Sequence, residues 1–236
     1  MRCGNVLCVQ CSSQRVDGVV CNDCLTELPP EPAPVPHDLS GPWLASMYET
    51  SLLVWREPYR LFSRLADGPV SPAWNFLFCW SVVTHAVLAL EGQEQIARVL
   101  TGLLMAGLGS GLSLVLYGTL LYVALRTFGA KLPWSLALRA EGYTAAWLAP
   151  GVLLRALVLP FADDLTVWWS GLILSALVTT LGSGYAYYAL ARERARLRPL
   201  HAALVAVIVA LPSFVAFVAW TATRGAISAA DEQVAE

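Results

Sequence analysis

The chain has 236 residues, 57% of them hydrophobic and only 14% charged, with a mean hydropathy of +0.58. A soluble domain carries about 25% charged residues, so this composition excludes an ordinary water-soluble globule and points to lipid as the solvent. The net charge of −2 says little as a sum; the placement of the charges is what informs, and no nucleic acid is expected as a partner.

Residues 1–28 read as a small separate module. They hold five cysteines and no apolar core stretch, so no secretory signal is expected. Cys8-x2-Cys11 and Cys21-x2-Cys24 are two pairs separated by nine residues. Each pair can present two thiolates to one ion, and four sulfurs at about 2.3 Å complete a tetrahedral structural zinc site. Between the pairs, residues 15–20 read as a hairpin whose Asp17-Gly18 supplies the turn. So short a fragment cannot build a core, and Zn2+ would supply most of its folding energy. Disulfides or free thiols are the alternative; the spacing and a cytosolic location favour the metal. Cys3 gives Cys3-x4-Cys8-x2-Cys11, which resembles the interior of B-box-like and zinc-ribbon-like modules. Those carry a further ligand pair in front, and the partner of Cys3 would fall one residue before Met1. The expectation is that the true start lies upstream or that the first site has decayed, and Cys3 stays outside the ligand set. Modules of this kind bind proteins.

Residues 29–42 carry six prolines and read as a linker in extended polyproline geometry, a semi-rigid spacer at about 3.1 Å per residue. A proline-rich ligand for SH3-like domains is the alternative. Residues 43–69 turn amphipathic. Leu44, Met47, Tyr48, Leu52, Trp55, Tyr59, Phe62 and Leu65 recur at three- and four-residue steps, with Arg56, Arg60 and Arg64 on another flank. Pro58 predicts a break into two short helices. The segment either lies in the membrane interface with its arginines at phosphates, or packs on the cytosolic end of a bundle.

Five apolar segments follow within residues 70–223. Residues 70–90 are uncharged, with Trp74 and Trp80 toward one end. Residues 99–125 are uncharged over 27 positions and carry glycines at 102, 107, 109, 111 and 118. A run of this length predicts a spanning helix, because in hydrocarbon every backbone group must be paired within the segment. Its small residues predict close approach by a neighbouring helix. The third segment, 142–160, is interrupted by Arg155; the fourth, 165–191, is uncharged and opens at Trp168 and Trp169. The fifth, 202–223, holds Pro212 as an expected kink, and residues 224–236 are a short acidic tail. The predicted fold is an all-α polytopic membrane protein with five transmembrane helices and a small zinc-binding β-hairpin module.

Twelve of the fifteen basic residues fall before the first segment, between the second and third, or between the fourth and fifth. Positive charge stays cytoplasmic, so the N-terminus is expected inside and the C-terminus outside. Charge within the segments is sparse. Arg155 can snorkel outward, Glu141 sits at the inner end of the third segment, and His85, His201 and Cys79 read as packing or hydrogen-bonded groups. No acid pair, nucleophile–base grouping or phosphate loop appears, so the chain is read as non-enzymatic, with no catalytic residue.

Residues 49–80 and 118–160 together resemble the YIP-domain family. The matching parts are Trp55-Arg-Glu-Pro58-Tyr-Arg-Leu-Phe62, Gly118-Thr-Leu-Leu-Tyr122, the loop Thr127-Phe-Gly129-Ala-Lys-Leu-Pro-Trp134, and Ala140-Glu-Gly142-Tyr143-x6-Pro150. Asp38-Leu-Ser-Gly41-Pro42 is similar to the Asp-Leu-Tyr-Gly-Pro motif of eukaryotic members, with serine in place of tyrosine. The resemblance implies a five-span bundle of the kind that, in eukaryotes, binds Rab-type GTPases and shapes vesicle traffic; bacterial relatives have no Rab traffic to serve, and the zinc module lies outside the pattern. The expected function is a scaffold in the bacterial inner membrane that presents the zinc module to a cytosolic protein. The alternative is a transporter or lipid-handling permease with a polar path near Arg155.

Overall fold

The computed structural model describes residues 12–15, 18–21, 34–38, 42–91, 96–158, 160 and 165–215. Apart from one short ribbon, the described chain is helical. In the ribbon, β1 (Ser12–Arg15) pairs antiparallel with β2 (Gly18–Cys21), Ser12 opposite Cys21 and Arg15 opposite Gly18. Gly18, expected in the turn, is therefore a strand residue; Val16 and Asp17 lie outside the described residues.

Two amphipathic helices lead into the body, α1 (Trp43–Arg56) and α2 (Pro58–Arg64). They part where the sequence predicts. Pro58 has no N–H to continue α1, and it sits instead at the first position of α2, where none is needed. α1 buries Met47, Thr50, Ser51 and Val54, and α2 buries Pro58, Leu61 and Phe62, the three- and four-residue spacing of one helical face. That face is packed on the body. In the first turns of α1, Trp43, Leu44 and Tyr48 stay exposed.

α3 (Ser71–Glu91) and α4 (Ile96–Thr127) lie side by side. A Cβ on Gly107 would stand 3.3 Å from the Phe78 ring, and one on Gly111 3.6 Å from Trp74 Nε1, a register that runs antiparallel. Further along, Gly118 meets Leu138, so the small residues of α4 serve two neighbours. The helix ends in a Schellman turn. Gly129 takes φ +86°, Gly129 N–H donates to Arg126 O at 2.9 Å, and Ala130 N–H donates to Leu125 O at 3.0 Å.

The third apolar segment is laid out differently from the sequence reading. Helix begins earlier, in α5 (Trp134–Thr144), passes through a 3-10 turn at Ala145–Trp147, and resumes as α6 (Leu148–Val158). Pro150 explains the break, since it has no N–H to give the carbonyl of Ala146 four residues back. The indole N–H of Trp55 donates to that carbonyl at 2.8 Å, which also pins α1 to the bundle. α7 (Leu165–Glu193) runs antiparallel to α6, with Gly151 against Thr179 and Gly171 against Val158. A turn with Arg196 at φ +52° leads into α8 (Pro199–Val215). Among the described residues, two helices hold stretches long and apolar enough to cross a membrane, Ala106–Thr127 within α4 and Trp169–Glu193 within α7.

Two glycines of this body make opposite predictions. A Cβ on Gly142 would lie 2.5 Å from the backbone oxygen of Ala73, whereas one on Gly109 meets nothing within 4 Å. Gly142→Ala should force α3 and α5 apart and cost about 1–3 kcal/mol, read as a lower melting temperature of the detergent-solubilised protein. Gly109→Ala should leave that temperature unchanged or raise it.

Candidate functional site

α5 places three polar side chains within five residues. Arg139 and Tyr143, one turn apart, share a flank, and Glu141 between them points the other way, as helical geometry requires. All three are buried. Each flank has its own partner.

On the first flank stands the 3-10 turn Pro36–Asp38, from the end of the proline-rich stretch. Val35 is fully buried, and His37 N–H donates to Thr50 Oγ1 at 3.0 Å, so this part of the stretch is docked in the body rather than extended away from it. Asp38 accepts from Arg139 Nη2 and from the Tyr143 hydroxyl. Arg139 Nη1 donates to Ala66 O, while its Nε has no partner among the described residues. The ion pair is secluded, with Arg139 4% and Asp38 16% exposed. The His37 ring packs edge-on against Phe76 and Tyr143, and burial there lowers its pKa despite the neighbouring Asp38.

On the second flank Tyr187 O–H donates to Glu141 Oε2 at 2.6 Å. Glu141 is 7% exposed and borders a cavity of about 210 Å³. α4 contributes Ser113 and Tyr117, one turn apart; α7 contributes Thr179, Thr180, Ser183 and Tyr187; α8 contributes Ser213. Leu77, Leu148 and Ala210 close the apolar part of the wall. No lysine, arginine or histidine is among the residues that line it. A lone carboxylate among hydroxyls can accept hydrogen bonds, hold a proton or ligate a hard cation.

The other candidates read from sequence fall elsewhere. His85 Nδ1 lies 2.8 Å from Ser81 O of its own helix, a satisfied polar group. His201 stacks on Phe128 at 5.1 Å, and Cys79 is a free, half-buried packing residue. The Arg155 side chain lies outside the described residues, as do Cys8, Cys11 and Cys24 and the side chain of Cys21. Among the described residues no group of three His, Cys, Asp or Glu side chains could hold a metal. Sequence reasoning missed the Glu141 cavity. Its signal was the four-residue spacing of Ser175, Thr179, Ser183 and Tyr187, a polar stripe in a helix otherwise uncharged to Ala191.

Among the described residues, fold and site together define a helical protein with two helices long and apolar enough to cross a membrane and a buried polar cluster around α5. Comparison with known protein families, with curated proteins and with solved structures returned no match.

The Asp38 pair can be tested by truncation. Asp38→Ala leaves the buried Arg139 uncompensated and should cost about 3–5 kcal/mol, whereas Asp38→Leu combined with Arg139→Leu should recover most of that loss. Thermal unfolding in detergent checks both.

Proposed function

We propose that the chain is a non-enzymatic, multi-pass scaffold of the bacterial cytoplasmic membrane, a YIP-like bundle that presents a zinc-held head to a cytosolic protein. The observation that carries the membrane part is the outer face of α4. Leu104, Leu108, Leu112 and Leu116 follow one another at single turns and are 57–74% exposed. α7 adds Ile173, Leu174, Leu177 and Leu181, and α8 adds Leu204, Val207, Ile208 and Leu211. Apolar faces of this extent on several helices are costly in water and natural in hydrocarbon. Counting α3, α4, the α5–α6 pair, α7 and α8 gives five crossings. The arginine distribution supports an N-terminus in the cytosol, and the burial of Arg139 is compatible with that asymmetry. The exposed Trp43, Leu44 and Tyr48 of α1 suit the membrane interface beside the bundle.

The ribbon supports the zinc reading through connectivity. Ser12 pairs with Cys21 at its open end, where the chain also continues to Cys11 and to Cys24. Four thiolates from Cys8, Cys11, Cys21 and Cys24 would close a structural site there. The segments that carry the YIP resemblance also meet in space, through Asp38 with Arg139 and Tyr143 and through Trp55 with Ala146.

A second reading, a permease, is favoured by the Glu141 cavity, a partly polar space within the bundle that scaffolding does not call for. The polar path near Arg155 belongs to this reading.

The full-length protein in nanodiscs should contain one zinc per chain and retain a specific cytosolic protein. Cys8→Ser and Cys21→Ser should lose both. Identical partners from native and substituted protein would defeat the scaffold reading, and two zinc ions per chain would overturn the single site.

A further inference from the structure

We propose that the cavity beside α5 is a binding site for a small monovalent metal cation of the sodium class, with the Glu141 carboxylate as its charged ligand. The inference rests on the cavity itself and on neither reading of the function.

The donor set comes first. Glu141 supplies a carboxylate, and Ser113, Thr180, Ser183 and Ser213 supply hydroxyls, from α4, α5, α7 and α8. These are hard oxygen ligands, with no thiol or imidazole among the lining residues, and such sets suit alkali and alkaline-earth ions rather than transition metals. Charge separates the remaining classes. One carboxylate stands alone, and the nearest guanidinium on the same helix, Arg139, is turned to the opposite flank and held by Asp38 and Ala66. A carboxyl taken this far from water either holds a proton or is stabilised by a positive charge beside it, and no cationic side chain is among the lining residues, which leaves that place open to a cation. A single negative ligand balances a single positive charge, whereas divalent sites commonly gather several carboxylates.

Geometry agrees. The Tyr187 hydroxyl holds Glu141 Oε2 and so fixes the plane of the carboxylate, as groups behind a metal ligand do. The volume of about 210 Å³ admits an ion that keeps part of its hydration shell. Because four helices contribute donors, an ion there would tie them together, and its binding should appear as resistance to unfolding.

The experiment is thermal unfolding of the full-length, detergent-purified protein in sodium, potassium, lithium and choline chlorides at constant ionic strength. The expected result is a saturable rise in melting temperature with sodium or another of the metal ions, absent with choline. Glu141→Gln should abolish the rise. Should that variant fail to fold, Ser183→Ala takes its place, and a half-saturating concentration roughly fivefold to tenfold higher is expected, about 1–1.4 kcal/mol of binding. Identical melting in all four salts would overturn the site. So would an ion response unchanged in Glu141→Gln, or in Ser183→Ala where that variant stands in.

Discussion

Arg139, Glu141 and Tyr143 lie within five residues of one helix, and that helix is enclosed on both flanks. A helix so built cannot bury one polar side chain by turning its other face to an apolar neighbour, because each flank carries a group that needs a partner. The fold meets this with two separate arrangements. Asp38, brought in by the turn after the proline-rich stretch, takes Arg139 and Tyr143; Tyr187, near the end of α7, takes Glu141. Removing either partner would leave a buried charge or acid exposed to a medium that solvates it poorly. Val35, His37 and Asp38 are thus part of the bundle's packing.

Packing around α5 follows from the same demand for closeness. Gly118 lets α4 reach Leu138, and Gly142 lets α3 bring Ala73 against the helix backbone. The 3-10 turn after Thr144 is a consequence of Pro150, and the carbonyl that the proline leaves without a helical donor is taken by Trp55. That one hydrogen bond links the amphipathic helices, the interrupted third segment and the core. The interior is mostly apolar, with a small polar cluster buried around α5, and the outer faces of α4, α7 and α8 are leucine-rich as well. A water-soluble protein would turn polar side chains outward on those faces.

The sequence made much of this legible, and its failures have physical causes. Long uncharged runs located α3, α4, α7 and α8, since the need to pair every backbone group leaves few alternatives to helix. Pro58 marked the boundary between α1 and α2 because a missing N–H acts locally. Longer-range pairings were not readable. Arg139 looked like one more loop arginine, and nothing near it in sequence announces Asp38, 101 residues away. Glu141 looked solitary because its partner lies 46 residues on, in a helix whose hydroxyls had not been read as a stripe. The third segment was placed too late, since an apolar run beginning at Gly142 hides a helix that starts in the more polar stretch at Trp134.

The account stands on hydrocarbon covering the leucine faces while the polar groups of α5 are enclosed. The direct measurement is spin-label collision in the bilayer-reconstituted protein, with a genetically incorporated nitroxide residue placed in turn at positions 108, 112 and 181. The account predicts frequent collisions with dissolved oxygen and few with a water-soluble nickel chelate at all three positions. Strong nickel collisions and weak oxygen collisions there would mean that water covers those faces, and the membrane reading would be contradicted.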